Sequence, residues 1–213
     1  MPELIRRNML LEIRADNAEP DGIISGRAIV YDTATDIGGW FQETICKGAI
    51  DEKQLKEDIS LYWNHDYNSK RLARSIIPLS DKGGLELSVD EKGLPFRANL
   101  NLKRTDANDL YESIKDGTCT AMSFGFYVDE ERWEDEQSDY PKRFITKVTL
   151  VEISCVNDPA YKATTVGLRS NLSTENDKAV LEKMRESRKH TKDVDNAKEL
   201  ELLKTKILMK LDL

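Results

Sequence analysis

Apolar and polar residues alternate with a period of two along much of the chain before residue 157, and this period is typical of β-strands. Short turn signals that contain Gly, Pro, Asp or Asn separate the alternating segments. Segments of this length and spacing predict an antiparallel sheet or barrel. The predicted strands lie within residues 10–31 (two strands and a loop), 39–46, 59–67, 71–80, 84–90, 94–102, 120–128 and 143–156.

Two segments carry a helical pattern instead. Residues 47–58 hold a few apolar positions in a polar setting, which suits a short helix that faces solvent. Residues 106–116 predict a second helix with Leu110 and Ile114 directed inward, and Gly117 is its stop signal. The predicted fold class is therefore α+β, with a mainly antiparallel sheet or barrel flanked by short helices.

Two charged segments break the alternation. Residues 129–142 are dense in acidic side chains and show no apolar period, which predicts an exposed hairpin loop. From residue 171 onward aromatic residues are absent, and Lys, Arg, Asp and Glu dominate. We expect a globular domain over residues 1–170 and a charged, helical or partly disordered tail over residues 171–213. Isolated helices of this length are only marginally stable in water, so we expect the tail to associate with a partner as a scaffold or delivery segment.

Composition argues against several function classes. The net charge is −7 and basic residues form no cluster, so a nucleic-acid partner is not expected. No apolar run is long enough to span a membrane, and charges interrupt the amino terminus, so we expect a cytoplasmic protein. The three cysteines lack a C-x-x-C spacing and there are only two histidines, so a disulfide framework, a structural zinc site and a multi-histidine metal centre are not expected. Carboxylates as ligands of a hard cation are the alternative, but the expectation is no metal and no other cofactor.

The segment 120–128 has one bulky face and one largely small face. As a strand it directs Met122, Phe124, Phe126 and Val128 to one side, and Ala121, Ser123, Gly125 and Tyr127 to the other. A hydroxyl between two small residues on a well-anchored strand is held rigidly and is open to approach, as a nucleophile requires. The alternative is that Ser123 merely faces solvent on a half-buried strand.

Two further polar residues lie on the apolar faces of predicted strands. His65 lies near the end of the apolar face of segment 59–67, and Glu152 follows apolar residues on one face of segment 143–156. Burying an unpaired carboxylate is strongly unfavourable, so Glu152 requires a cationic or hydrogen-bonding partner unless it lies at the surface opposite a lysine. For His65 the alternative is a structural, hydrogen-bonded histidine.

His65, Ser123 and Glu152 together meet the chemical requirements of acyl transfer. A hydroxyl attacks, an imidazole takes its proton, and a carboxylate fixes the tautomer of the imidazole and stabilises its charged form. All three lie on predicted strands that one sheet can bring together. Spacing alone does not establish such a triad, because triads are defined by geometry and not by order along the chain.

Three short blocks resemble the motifs of the tailed-bacteriophage prohead (capsid maturation) serine protease family. They are YWNHD at 62–66, TAMSFGF at 120–126 and LVEISCVNDPAY at 150–161, and they follow the order of the family. The resemblance spans roughly residues 20–168. Three blocks in register are specific, whereas any one of them alone would be a weak signal.

The resemblance implies a serine endopeptidase related to the herpesvirus assemblins, built on a compact β-barrel flanked by helices. It maps the histidine of the family to His65 and its serine to Ser123. It also implies action inside the immature phage capsid, in the host cytoplasm, where the enzyme cleaves the scaffolding portion of the major capsid protein and then itself. The implied partners are the major capsid protein with its scaffolding segment and further copies of the chain, as in a dimer.

The third member of the triad is less directly indicated. The herpesvirus relatives use a second histidine, but the only other histidine here, His190, lies outside the resembling region. We assign the role to Glu152 because its carboxylate needs a partner, and Asp66 is the alternative. Backbone amides near Phe124 and Gly125 are the expected donors to an oxyanion.

A competing hypothesis is a scaffold or capsid-binding module without enzymatic activity, built on the same barrel. Such a module would bind without proteolysis. Its structure would place His65 well beyond hydrogen-bond reach of Ser123. The distance between these two side chains therefore separates the two hypotheses.

Overall fold

The computed structural model of the chain describes residues 4–9, 13–15, 22–157 and 182. The tail predicted over residues 171–213 lies outside the described residues, apart from residue 182, and so do His190 and the domain boundary predicted at residue 170. Within the described ranges the fold is mostly β-sheet with one α-helix. This composition confirms the predicted mixture of a dominant sheet with helical elements beside it.

The eleven strands of the described residues join in one sheet. They are β1 (Ile5–Met9), β2 (Ile13–Arg14), β3 (Ile23–Val30), β4 (Thr35–Ile37), β5 (Phe41–Ile45), β6 (Ser60–Trp63), β7 (Ala73–Arg74), β8 (Gly84–Leu87), β9 (Gly93–Asn99), β10 (Ala121–Glu134) and β11 (Lys142–Val156). The order across the sheet is β1-β10-β11-β6-β7-β8-β9-β3-β2, and β5 pairs with both β11 and β4. The helical elements are α1 (Thr105–Lys115) and a 3₁₀ helix at Glu52–Lys56.

The sheet curls into a half-barrel. Strands β10 and β3 stand far apart in the strand order, yet they contact each other, which requires strong curvature. Most neighbouring strands are antiparallel, as predicted, but β11 runs parallel to β5 and to β6, and β7 runs parallel to β8. Among the described strands, the two ends of the order, β1 and β2, do not pair with each other. The sheet thus agrees with the predicted barrel in its curvature but not in closure.

Helix α1 packs on the main apolar core through one face. Its buried residues recur at intervals of three and four, which places them on a single stripe, and they are Ala107, Leu110, Tyr111 and Ile114. Gly117 follows with φ of 77°, a left-handed conformation that glycine adopts without steric cost. The predicted inward residues and the predicted stop are confirmed.

The hairpin between β10 and β11 corrects the prediction of a long exposed loop at 129–142. Both strands continue into this segment, because β10 ends at Glu134 and β11 begins at Lys142. Cross-strand contacts replace the missing apolar period: the Arg143 guanidinium pairs with the Glu131 carboxylate, and the Trp133 ring packs on Phe41 at 5.2 Å between centroids. The extension of both strands was missed because their charged residues break the alternation of apolar and polar positions.

Two other predicted elements are shorter than expected. The helix predicted at 47–58 is a single 3₁₀ helix, which the Asp51 carboxylate caps by accepting a hydrogen bond from the Lys53 amide at 2.9 Å. The strand predicted at 71–80 is confined to β7, and Pro78, which has no amide hydrogen for a ladder, lies just beyond it.

Strand β1 was missed by the sequence pattern, because Arg6 and Arg7 interrupt the alternation of apolar residues. It pairs antiparallel with β10, with Arg6 opposite Gly125 and Asn8 opposite Ser123. The edge of β10 that carries the candidate serine is therefore occupied by the first described strand of the chain.

Candidate active site

Ser123 lies where the two faces of β10 were predicted to differ. The neighbouring residues Met122, Phe124 and Phe126 belong to the apolar core, and Ser123 points to the opposite side of the sheet. Its partners across the sheet are Ser154 on β11 and Asn8 on β1. The expectation that Ser123 is open to approach is wrong for this conformation, because its exposed fraction is 0%.

His65 reaches the site from a turn and not from a strand, which corrects the strand predicted over 59–67. Strand β6 ends at Trp63, and Asn64 and His65 both have positive φ, at 52° and 56°. Non-glycine residues seldom adopt this conformation, and it is held here because the Asn64 amide donates to the Cys155 carbonyl at 2.8 Å. The turn breaks the strand alternation and brings the imidazole against β10 and β11.

Glu152 lies on β11 beside these two residues. Strand β11 pairs with β10 on one side and β6 on the other, so Glu152 stands opposite both Gly125 and Ser60. Its exposed fraction is 1%. The predicted need for a partner is therefore real, since this carboxylate is removed from water.

The structure brings all three candidate residues into one hydrogen-bonded chain. His65 Nε2 lies 2.6 Å from Ser123 Oγ, and His65 Nδ1 lies 2.6 Å from Glu152 Oε1. With the hydrogen of a neutral imidazole on Nδ1, His65 donates to the carboxylate and offers Nε2 as an acceptor to the hydroxyl. This arrangement can move a proton from the hydroxyl to the imidazole while the carboxylate stabilises the resulting positive charge.

Two further side chains hold the Glu152 carboxylate. The Ser154 hydroxyl donates to Glu152 Oε2 at 2.7 Å, and the Tyr67 hydroxyl donates to Glu152 Oε1 at 3.3 Å. Burial and then the negative charge of Glu152 raise the pKa of Tyr67, so the phenol remains protonated and able to donate at neutral pH. Both carboxylate oxygens are thus engaged.

Gly125 provides the space that Glu152 needs. A Cβ atom at this position would lie 2.6 Å from Glu152 Oε1, closer than real contacts allow. The small face of β10 therefore accommodates the buried carboxylate. This differs from the expectation that the small neighbours leave the Ser123 hydroxyl open to approach.

Sequence reasoning missed the roles of Ser154, Tyr67 and Gly125 toward Glu152. A signal for Ser154 was present, because a residue two positions along a strand shares its face and stands beside Glu152. Tyr67 carried no comparable signal, since its contact depends on the turn that ends β6. Asp66, the alternative third member, is exposed, and its carboxylate caps this turn by accepting from the Asn68 amide at 3.0 Å.

The cysteines of the described residues are poor rivals to Ser123 as nucleophiles. Burial raises the pKa of the Cys119 thiol to about 11 and raises that of Cys155 well above its ordinary value. Burial also raises the pKa of Cys46, which is only partly exposed. Few thiolates are therefore available at neutral pH.

The family of the chain follows from a match over most of its length. The family model described as caudovirus prohead serine protease matches residues 10–179. The chain belongs to this family. This prohead protease is thus a hydrolase of the serine protease class with a part in phage capsid maturation. Neither curated proteins nor solved structures show a significant match to it.

Two further findings concern membrane spans and metal ligands. Among the residues placed by the structure, no helix combines the length and apolar character needed to cross a membrane. The same residues contain no group of His, Cys, Asp and Glu side chains that could hold a metal ion.

Proposed function

We propose that Ser123, His65 and Glu152 are the catalytic triad of a serine endopeptidase. The observation that carries this proposal is the continuous chain of contacts from Ser123 Oγ through both ring nitrogens of His65 to Glu152 Oε1, each of 2.6 Å. A structural histidine would need only one such partner. The family membership independently supports a serine protease.

In the proposed reaction, Ser123 Oγ attacks the carbonyl carbon of the scissile peptide bond while His65 Nε2 takes the hydroxyl proton. Glu152 stabilises the imidazolium, which then gives the proton to the leaving amine as the C–N bond breaks. A water molecule, deprotonated by His65, hydrolyses the remaining ester and restores the serine hydroxyl. Backbone amides near Phe124 and Gly125 remain the proposed donors to the oxyanion.

The proposed substrate is the scaffolding portion of the major capsid protein, followed by the protease itself. Support comes from the family, whose description places its members with the prohead of tailed phages. Cleavage would then take place inside the immature capsid within the host cytoplasm, with the capsid protein as the principal partner and further copies of the chain as a second one.

The competing hypothesis of a non-enzymatic scaffold or capsid-binding module required a large separation between His65 and Ser123. The 2.6 Å contact between His65 Nε2 and Ser123 Oγ does not meet that requirement. The geometry therefore favours the enzyme.

The test is co-expression of the full chain with its major capsid protein, followed by mass spectrometry of the capsid protein. We expect the wild-type chain to remove the scaffolding portion and Ser123→Ala to leave it intact while retaining the wild-type melting temperature. The matched control is Ser113→Ala, because this partly exposed serine lies on α1, away from the triad, and its hydroxyl donates to the Asp109 carbonyl of the same helix. Complete cleavage by Ser123→Ala would exclude Ser123 as the nucleophile.

A further inference from the structure

Strand β1 lies directly beside the candidate nucleophile. It pairs with one edge of β10, while β11 holds the other edge, so Ser123 lies between two neighbouring strands. The Ser123 hydroxyl also contacts the backbone of β1, because Oγ lies 3.1 Å from the Arg7 carbonyl oxygen and can donate to it. These contacts accompany the complete burial of Ser123.

The Arg7 carbonyl competes with His65 for a single proton. A serine hydroxyl has one hydrogen, and two acceptors stand within reach, His65 Nε2 at 2.6 Å and the Arg7 carbonyl oxygen at 3.1 Å. When the hydrogen is directed to Arg7, His65 can keep its short contact only by donating a hydrogen from Nε2. A nitrogen that carries a hydrogen cannot act as a general base toward Ser123.

Buried charge fixes β1 in this position. Arg7 Nε and a terminal nitrogen of the same guanidinium bind the two oxygens of Glu43 on β5, at 2.6 Å and 2.9 Å. Both side chains are 3% exposed, and Arg143 of β11 also donates to Glu43, at 3.1 Å. A forked pair of this kind fixes position as well as supplying energy.

A second contact joins β1 to the triad. The Arg6 guanidinium carbon lies 4.9 Å from the centre of the Tyr67 ring, and the Tyr67 hydroxyl donates to Glu152. Arg6 is exposed, so this cation–π contact lies at the rim of the site. The strand therefore contacts both ends of the triad, at Ser123 through Arg7 and at Glu152 through Tyr67.

We propose that β1 is an inhibitory strap that occupies the place of the substrate strand on β10. Extended peptides bind proteins by adding a strand to a free sheet edge, and the edge beside Ser123 is filled by residues 5–9 of the chain itself. Catalysis then requires β1 to leave this edge and an extended segment of the substrate to replace it. This inference rests on the proposed function, since it assigns a role to β1 only if Ser123 is the nucleophile.

The test measures the rate at which a fluorophosphonate probe modifies Ser123 in the full-length chain. Arg7→Gln removes the ion pair with Glu43. Arg6→Ala removes an exposed side chain and its cation–π contact with Tyr67 but no buried charge, so this second variant serves if the first lowers the melting temperature. We expect labelling to accelerate by about tenfold in Arg7→Gln and by a smaller factor in Arg6→Ala, because each shifts the equilibrium toward the open edge. The matched control Arg27→Gln removes an exposed pair with Asp90 on another part of the sheet and should label at the wild-type rate.

The second part of the test uses a peptide with the sequence of the strap. The peptide LIRRNM, which copies residues 4–9, should slow the labelling of Arg7→Gln toward the wild-type rate, and a scrambled peptide should not. Equal labelling rates in wild type, Arg6→Ala and Arg7→Gln would overturn the strap while leaving the triad intact. Absence of an adduct on Ser123 in every variant would overturn the proposed function and the strap with it.

Discussion

Glu152 is the residue around which the site is built. Its carboxylate is almost fully buried, and it contacts His65 and Ser154 at hydrogen-bond distances of 2.6 Å and 2.7 Å. A buried carboxylate is tolerated only when such partners replace water. Residues that do no chemistry themselves can therefore control the reaction through the position of this group.

Ser154 is expected to act as a positioning residue. In Ser154→Ala, Glu152 Oε2 loses its hydrogen bond, and bonds to charged groups contribute roughly 1.5–3 kcal/mol, so we expect kcat to fall by at least about tenfold with little change in KM. Steady-state kinetics on a peptide substrate measures both constants, with Ser113→Ala as the control. A fall in melting temperature with unchanged kcat would assign Ser154 a structural role only.

Gly125 offers a steric test of the same carboxylate. In Gly125→Ala the new methyl group would meet Glu152 Oε1 at 2.6 Å, so the carboxylate must move away from His65. We expect kcat to fall by about a hundredfold or more, since orientation errors of about 1 Å cost that much. Gly48→Ala is the control, because its Cβ meets open space and only its positive φ is strained. Wild-type kcat in Gly125→Ala would show that the position of Glu152 does not matter.

Strands were predicted well where apolar alternation is complete, and poorly where ion pairs replace apolar contacts. The core face of β10, with Phe124 and Phe126, follows directly from the period of two. Strand β1 did not follow from this period. Arg7 is buried only because it forms an ion pair with Glu43, and Glu43 lies far from it in sequence. The turn at His65 was likewise hidden, since its geometry depends on a contact with β11.

The candidate residues themselves were accessible from the sequence, but their surroundings were not. Ser123 and His65 follow from residue chemistry together with motif blocks, and Glu152 from the cost of burying a lone carboxylate. The position of β1 beside Ser123 could not be predicted, because it depends on the pairing of two strands more than a hundred residues apart in the chain.

The β10–β11 hairpin should stabilise the fold without affecting chemistry. Trp133 packs on Phe41 in a small apolar cluster separate from the main core. In Trp133→Ala we expect the free energy of unfolding to fall by about 2 kcal/mol, in line with the apolar area that this half-buried ring removes from water, and kcat to remain at the wild-type value. Denaturant unfolding together with kinetics checks both, and a large loss of kcat would show that the hairpin reaches the site.

At the scale of the whole molecule, one curled sheet joins the site to a buried ionic cluster. Glu43 on β5 binds Arg7 on β1 and Arg143 on β11, and Arg143 also pairs with Glu131 on β10. Removing one partner of a buried charge is costly, so this cluster fixes the relative positions of the strands that carry the site. The same cluster holds the inhibitory strap in place. The stability of the fold and the inhibition of the protease by β1 are therefore linked.

The charged tail is expected to have no part in peptide cleavage. Its composition predicts association rather than catalysis, so deleting residues 171–213 should leave peptide cleavage at the wild-type rate while reducing incorporation of the protease into proheads. Quantifying the protease in purified proheads, beside a cleavage assay on the same variant, measures the two effects separately. Unchanged incorporation would reject the delivery role.

Covalent labelling of the intact protein identifies the nucleophile. The wild-type chain is incubated to completion with a fluorophosphonate probe, and the modified residue is located by peptide mass spectrometry. We predict one adduct, on Ser123, that is absent from Ser123→Ala and strongly reduced in His65→Ala because the hydroxyl then lacks its base. An unmodified Ser123 in a preparation that still cleaves the capsid protein would show that another residue is the nucleophile.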